Sequence, residues 1–181
     1  VSTDPLAGID FPSPSKINLT KAQQITAKQI NSSIESYEYQ SFLLQGVTGS
    51  GKTEVYINAI EKCISQGRRA IVLVPEIALT HQIINRLAGR FPNKVAVLHS
   101  GLTPGERYDQ WWKINRGEYP IVVGSRSAIF SPQMELGLIV IDEEHEWTYK
   151  QIDSEPRYHT RDVAIKLAKL TSATLVMGSA S

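Results

Sequence analysis

The feature that most constrains the fold is a glycine-rich octapeptide, GVTGSGKT, at residues 46–53. It satisfies the pattern G-x-x-x-x-G-K-T and lies between an apolar run that predicts a strand and an amphipathic run that predicts a helix. In that context, glycines allow a tight loop whose backbone N–H groups converge on phosphate oxygens at the positive end of the following helix. A chance glycine-rich turn is the alternative, and the flanking strand and helix argue against it. The sequence therefore predicts a phosphate-binding loop.

The predicted nucleotide-binding residues come from this loop and from the residue after it. They are Gly46, Val47, Thr48, Gly49, Ser50, Gly51, Lys52, Thr53 and Glu54. Lys52 is expected to reach the β- and γ-phosphates, and the Thr53 hydroxyl is expected to bind Mg²⁺. ATP and Mg²⁺ are therefore the predicted cofactors.

After residue 18, short apolar runs alternate with longer amphipathic runs along the chain. The predicted strands cover residues 41–46, 69–74, 95–98, 120–124, 137–142 and 174–178. The predicted helices cover residues 21–36, after the N-cap Thr20, and then 52–66, 77–91, 104–116 and 160–170. This alternation indicates an α/β fold in which a mostly parallel sheet carries helices on both faces.

Composition limits the partner and the compartment. The 181 residues carry 19 basic and 18 acidic side chains, so any contact with nucleic acid must come from a local patch. Cys63 is the only cysteine, which excludes an internal disulfide and a cysteine-cluster zinc site and fits a cytoplasmic protein. No apolar run predicts a membrane span or a signal peptide. Residues 1–18, with three prolines, are expected to be a linker from an upstream region, and residue 181 is expected to be a boundary within a longer protein.

A second cluster of functional residues follows the predicted strand at 137–142. The run LIVI passes directly into Asp142, Glu143, Glu144 and His145. Ligands of open α/β sheets bind at the carboxyl ends of strands, so Asp142 is expected to bind Mg²⁺ with Thr53, and Glu143 to orient or deprotonate the attacking water. A solvated acidic strand end is the alternative. We assign His145 to the catalytic set in a coupling role, with a structural hydrogen bond as the other possibility.

These motifs together resemble the superfamily 2 helicases. D-E-E-H, a variant of the DEAH box, accompanies the phosphate loop, and further segments resemble the primosomal replication-restart helicases. Those segments are GVTGSGKTEVY, LVPEIALT, LHSGL, VVGSRSAIF, LGLIVIDEEHEWTYKQ and PRYHTRDVAI. The resemblance implies that residues 19–181 form the first RecA-like, ATP-binding lobe of a P-loop NTPase and reach as far as motif III. It also implies that the zinc-binding cysteines lie in the rest of the protein.

The resemblance also implies roles for single residues. Gln23, upstream of the phosphate loop, is expected to read adenine, although Ala22 stands where the family commonly has an acidic residue. The residues expected to contact the DNA backbone are Thr80, Ser100, Gly101, Ser125 and Arg126. The alternative interpretation is that these residues form helix caps and turns. The two interpretations are compatible, because caps also expose N–H groups that bind phosphate. Gly178, Ser179, Ala180 and Ser181 resemble the motif that couples hydrolysis to movement between lobes, with Ser181 where threonine is usual.

Two groups of aromatic residues remain. The segment EWTYKQIDSEPRYH at residues 146–159 contains Trp147, Tyr149 and Lys150, which are expected to bind DNA by stacking and phosphate contact. The alternative is a surface loop whose aromatic side chains pack on the core. Trp111 and Trp112 lie in a predicted amphipathic helix, where we expect at least one of them to face the core.

The resemblance predicts an ATP-dependent 3'-to-5' DNA helicase that unwinds DNA at stalled forks and restarts replication through primosome assembly. Its expected partners are single-stranded and forked DNA, replication-restart proteins and single-strand-binding proteins, in a bacterial, nucleoid-associated setting without a membrane. The lobe alone is expected to bind nucleotide and to hydrolyse very little. A double-stranded DNA translocase and a small P-loop kinase are the alternatives; a kinase would need a substrate lid within the chain.

Overall fold

A computed structural model describes residues 5, 6, 8–12, 17–47, 49–76, 81–143 and 159–180 of the chain. Within these residues, six strands form one sheet in which every pair of neighbours is parallel. The strands are β1 (Gln40–Gln45), β2 (Arg69–Leu73), β3 (Val95–Leu98), β4 (Ile121–Gly124), β5 (Leu136–Ile141) and β6 (Thr174–Ser179). Their order across the sheet is β1-β6-β5-β2-β4-β3. The predicted α/β class is therefore confirmed.

Helices cover both faces of this sheet. They are α1 (Lys21–Ser36), α2 (Lys52–Ser65), α3 (His81–Arg90), α4 (Pro104–Asn115) and α5 (Thr160–Thr171), with a 3-10 helix at Arg126–Phe130. Because side chains alternate along a strand, Ala70 and Val72 of β2 pack under α1, α2 and α3, whereas Ile71 and Leu73 pack under α4 and α5. The sheet is thus buried on both faces, which explains the continuous apolar runs in its strands.

The predicted elements agree with these bounds to within one or two residues wherever the structure describes both ends. Thr20 caps α1 through a capping box with Gln23, as its N-cap role requires. The predicted start of α3 falls in residues 77–80, outside the described part of the chain. The 3-10 helix after β4 was not predicted from the sequence pattern. None of the helices that the structure describes is long and apolar enough to cross a membrane.

The expectation for the tryptophans of α4 is wrong. Trp111 and Trp112 are 42% and 39% exposed, and the buried residues of this helix are Gln110 and Ile114. Gln110 and Ile114 lie four positions apart and so share the inward side, from which the tryptophans are rotated by about 80° and 180° at 100° per residue. Their rings pack against each other edge to face, with centroids 5.2 Å apart. Aromatic contact along the helix surface has replaced contact with the core.

A buried arginine joins three elements at the amino end of the strands. The Arg68 side chain is 7% exposed, and its guanidinium donates to the carbonyl oxygens of Leu136, Thr171 and Ser172 at 2.8, 3.3 and 3.2 Å. The last two carbonyls lie at the C-terminus of α5, where cations are favourable. Arg68 therefore fixes the end of α5 against the start of β5.

Replacing Arg68 by methionine tests this role. Arg68→Met keeps an unbranched side chain and removes the donors, so three carbonyl groups lose their partner. We expect the free energy of unfolding in urea to fall by about 2 to 3 kcal/mol. Arg116→Met is the matched control, since Arg116 is an exposed arginine whose pair with Glu118 spans 3.0 Å at the surface. Equal effects of the two substitutions would contradict the assignment.

Candidate functional site

The carboxyl ends of all six strands lie at one edge of the sheet, because every pair of neighbours is parallel. The glycine-rich loop follows β1, and Asp142 and Glu143 follow β5. β6 lies between β1 and β5, so the end of β6 separates the loop from the acids by one strand. The two groups of residues that the sequence predicted to act together therefore meet at this edge.

The loop after β1 is held by backbone hydrogen bonds and by glycines. Gly46 donates its N–H to the Ser179 carbonyl at 3.0 Å, and Ser50 donates to the Val47 carbonyl at 3.0 Å. Gly51 has φ +90, and a Cβ atom there would lie 2.2 Å from Gln23 Nε2. The loop therefore needs glycine at residue 51 both for its backbone conformation and for space. It leads directly into the N-terminus of α2, which favours anions.

The Lys52 ammonium lies where the loop, β6 and the acids come together. Its Nζ donates to the Gly46 carbonyl and, at 3.2 Å, to the Ser179 carbonyl, and it lies 4.0 Å from Glu143 Oε1. The side chain is only 11% exposed, so its charge is directed into the site and not into solvent. A cation in this place can bind the phosphate groups that the loop is shaped to hold.

Gln23 connects α1 to the loop. Its Oε1 accepts from the Thr20 N–H at 2.9 Å as part of the capping box, and its Nε2 donates to the Ser50 carbonyl at 2.6 Å. A cavity of about 460 Å³ opens beside these residues, between α1, β1 and the loop, and Lys52 contributes to its wall. Gln23 is therefore placed at the entrance from α1 to the phosphate loop, where a base attached to bound phosphates has room.

Asp142 is fixed from two sides at the end of β5. Its N–H donates to the Leu73 carbonyl at 2.9 Å, and one carboxylate oxygen, Oδ1, accepts from the Tyr56 hydroxyl at 2.8 Å. Burial, and then the Asp142 carboxylate itself, raise the pKa of Tyr56 well above its ordinary value, so the phenol stays protonated and remains a donor. Glu143 follows with φ +51, a conformation that costs a non-glycine residue about 1 kcal/mol or more and that clusters at functional sites.

The donor set around Asp142 suits Mg²⁺. Thr53, with its hydroxyl, lies in the first turn of α2, three positions before Tyr56. Residues three apart lie on the same side of a helix, so the turn that carries Thr53 is tied to Asp142 through Tyr56. Mg²⁺ prefers oxygen ligands and few protein carboxylates, and a hydroxyl with one carboxylate matches that preference. Among the described residues, no three His, Cys, Asp or Glu side chains group into another metal site.

A second polar cluster joins the ends of β2 and β3. Glu76, after β2, accepts from the Ser100 N–H at 3.2 Å and from the Ser100 hydroxyl. The Ser100 hydroxyl is the main cause that lowers the pKa of Glu76 below its ordinary range, and the carboxylate stays ionised. Ser100, Gly101, Ser125 and Arg126, which the sequence predicted to contact DNA, therefore lie along the same edge of the sheet.

Residues 20–181 match the DEAD/DEAH box helicase family. The chain belongs to this family. It is 52% identical over all 181 residues to the replication restart protein PriA of Bacillus subtilis, of which it covers 22%. It is 47% identical over 174 residues, 94% of the chain, to the replication restart protein PriA of Synechocystis sp., of which it covers 21%. The helicase resemblance of the sequence is confirmed, and the chain spans about a fifth of the length of these relatives.

A solved structure of a DNA-bound protein has the same fold. RecG bound to a three-way DNA junction matches with a TM-score of 0.67 and 27% identity, over 91% of this chain and 21% of RecG. This similarity confirms the RecA-like arrangement of the sheet and its helices. The helicase fold therefore explains why the loop, the acids and the later strand-end motifs lie on one edge.

Several predicted residues lie elsewhere or outside the described part of the chain. The Glu54 carboxylate accepts from Arg86 and so joins α2 to α3; its nucleotide-binding role stays a prediction. Thr48, Thr80, His145, Trp147, Tyr149, Lys150 and Ser181 lie outside the described residues, and their roles also stay predictions. Sequence reasoning gave no separate role to Tyr56. Its position one turn after Thr53, on the buried side of α2, was the only signal for it.

Gln23 offers a test of the link between α1 and the loop. Gln23→Ala removes the hydrogen bond to Ser50, so we expect ADP affinity to fall about two- to tenfold, the effect of one hydrogen bond. The measurement is titration with a fluorescent ADP analogue. Glu106→Ala is the matched control, because Glu106 holds the same capping-box position in α4 and lies away from the loop. A similar loss of affinity in both variants would mean that helix stability alone is responsible.

Proposed function

We propose that this chain is the ATP-binding lobe of an ATP-dependent 3'-to-5' DNA helicase that unwinds DNA at stalled forks and restarts replication. The observation that carries the proposal is the meeting of Lys52 and Glu143, 4.0 Å apart, at the strand edge of a family member that is 52% identical to a replication restart protein. That identity over the full chain supports a replication-restart helicase over a double-stranded DNA translocase.

The positions of the side chains support the following roles in ATP hydrolysis. Lys52 and the loop N–H groups hold the β- and γ-phosphates of ATP, and Gln23 contacts the adenine. Thr53 and Asp142 would hold Mg²⁺, which when bound neutralises charge on the phosphates. In this proposal Glu143 orients the attacking water toward the γ-phosphate, and its position 4.0 Å from Lys52 supports that role. Glu143→Gln should therefore affect chemistry more than binding.

Single-stranded or forked DNA is the second ligand. The segments at Ser100–Gly101 and Ser125–Arg126 lie at this edge, and the Arg126 guanidinium is the group proposed to bind nucleic-acid phosphate, since the Ser100 N–H and hydroxyl donate to Glu76. Glu76 joins the ends of β2 and β3 by its two hydrogen bonds to Ser100, which supports a preformed arrangement of this edge. In this proposal Thr80 and Lys150 add phosphate contacts, and Trp147 and Tyr149 stack on bases.

The end of β6 is proposed to couple hydrolysis to movement between lobes. Ser179 accepts through its carbonyl from both Lys52 and Gly46, so the strand that leads to Ala180 and Ser181 contacts the phosphate-binding residues. His145 would join this coupling from the β5 side. The second lobe, a zinc site, and contacts with replication-restart and single-strand-binding proteins belong to the rest of a bacterial, cytoplasmic and nucleoid-associated protein.

The proposal predicts a division of activity between this chain and a longer protein with the second lobe. Residues 1–181 should bind MgADP weakly and release almost no phosphate from ATP, because the second lobe supplies an arginine finger worth about 10³ to 10⁵ in turnover. The two-lobe protein should hydrolyse ATP faster when single-stranded DNA is added. Phosphate release is measured for both proteins with single-stranded DNA, duplex DNA or none. Strong DNA-stimulated turnover by residues 1–181, or stimulation by duplex alone, would contradict the proposal.

Two substitutions in the two-lobe protein separate binding from chemistry. Lys52→Ala should weaken ATP binding, whereas Glu143→Gln should leave it nearly unchanged and lower turnover by orders of magnitude. Lys62→Ala in the same helix controls for the first. Glu135→Gln controls for the second, since Glu135 has the same left-handed backbone, φ +50, and lies at the opposite end of β5. Near-normal turnover in Glu143→Gln would mean that another residue orients the attacking water.

A further inference from the structure

A buried tyrosine hydroxyl contacts the residue assigned to the metal. Tyr56 is 1% exposed, lies in the second turn of α2 and donates to Asp142 Oδ1 at 2.8 Å. Its ring is enclosed in the core between α2 and the sheet, so the hydroxyl has little freedom to choose another direction. One of the two carboxylate oxygens of Asp142 is thereby held from the α2 side.

Gly178 makes this hydrogen bond possible. The pairing of Ile141 with Met177 places Gly178, the next residue of β6, beside Asp142. A Cβ atom at residue 178 would lie 1.7 Å from the Tyr56 hydroxyl oxygen and 3.1 Å from Asp142 Oδ1. The hydroxyl is the end of a rigid, buried ring, so it cannot move aside without moving the ring or α2. Any side chain at residue 178 therefore conflicts with the Tyr56–Asp142 contact.

We propose that Tyr56 is a positioning residue for the metal ligand Asp142, and that Gly178 is glycine so that the tyrosine hydroxyl can reach it. The inference rests on the proposed nucleotide-hydrolysing function and deepens it. Tyr56 holds one carboxylate oxygen of Asp142, and Thr53, the other proposed metal ligand, lies one turn earlier on the same helix. Outer residues that orient a metal ligand in this way change metal affinity about 10- to 100-fold when they are replaced.

The same contact connects the metal ligand to the end of β6. Gly178 lies beside the Tyr56–Asp142 pair, and the next residue, Ser179, accepts from Lys52 at 3.2 Å. A displacement of these two residues would therefore alter both the lysine that binds phosphate and the carboxylate that binds metal. Tyr56 is the side chain through which the second of these effects passes.

The test compares ADP binding with Mg²⁺ and with EDTA in the 181-residue chain. Tyr56→Phe keeps the ring and removes the hydroxyl. We expect the gain in ADP affinity that Mg²⁺ provides to fall about tenfold, while ADP affinity in EDTA stays at the wild-type value. Tyr119→Phe is the control, since it removes a hydroxyl from a buried ring that precedes β4, at the opposite edge of the sheet.

A pair of substitutions tests the contact with Gly178. Gly178→Ala should lower the thermal unfolding midpoint. It should also lower the gain in ADP affinity that Mg²⁺ provides. The double variant Tyr56→Phe/Gly178→Ala should unfold at a higher temperature than Gly178→Ala, because the atom nearest the new methyl group is gone. Its Mg²⁺-dependent gain should stay as low as that of Tyr56→Phe, since neither protein has the hydroxyl.

The outcomes distinguish the inference from the function on which it rests. If Mg²⁺ raises the ADP affinity of Tyr56→Phe as much as it raises that of the wild-type chain, the positioning role is overturned and the proposed function is left intact. A Tyr56→Phe variant that loses ADP affinity equally with Mg²⁺ and with EDTA also overturns it, because the tyrosine then acts only on the fold. A wild-type chain whose ADP affinity does not depend on Mg²⁺ overturns both.

Discussion

The pairing of β6 between β1 and β5 is the constraint on which the site depends. Gln45 pairs with Ser179, and Ile141 pairs with Met177, so the three strands end within about two residues of one another. The phosphate loop and the acids are far apart in sequence, and only this central strand brings Lys52 within 4.0 Å of Glu143. Parallel strands with crossover helices on both faces allow that arrangement, because loops of different origin then share one edge.

The edge is also where the chain departs from regular, relaxed structure. The strands are apolar and buried on both faces, and Asp142 and Glu143 follow one of them directly. The Asp142 N–H still pairs with β2, whereas Glu143 adopts a left-handed conformation. Asp142 is therefore still hydrogen-bonded to the sheet, whereas Glu143 is not in a strand conformation. The packed core beneath stabilises the strained backbone of Glu143. A rigid layer therefore presents the charged groups in fixed directions, as a phosphate-binding site requires.

Sequence patterns predicted the helices and strands well, because each of these elements is determined by residues close together in the sequence. Apolar runs, the Thr20 capping box and the glycines of the loop act within a few residues, and the sequence shows them directly. Tyr56 was not assigned, because its partner Asp142 lies 86 residues away and only the strand order brings the two together. Glu76 was placed in the motif after β2, but its hydrogen bond to Ser100, 24 residues away, was not predicted. The prediction for the tryptophans of α4 failed for another reason. Size and apolarity predicted burial, but the helix turned Gln110 and Ile114 toward the sheet.

The backbone at the end of β6 lies close to the side chains of the candidate site. Gly178 contributes no side chain, so the Tyr56 hydroxyl reaches Asp142; Ser179 contributes its carbonyl, which accepts from Lys52. Of these two successive residues of one strand, the first thus lies beside a carboxylate and the second accepts from an ammonium. Because β6 is the central strand of this region, it cannot shift without changing both contacts.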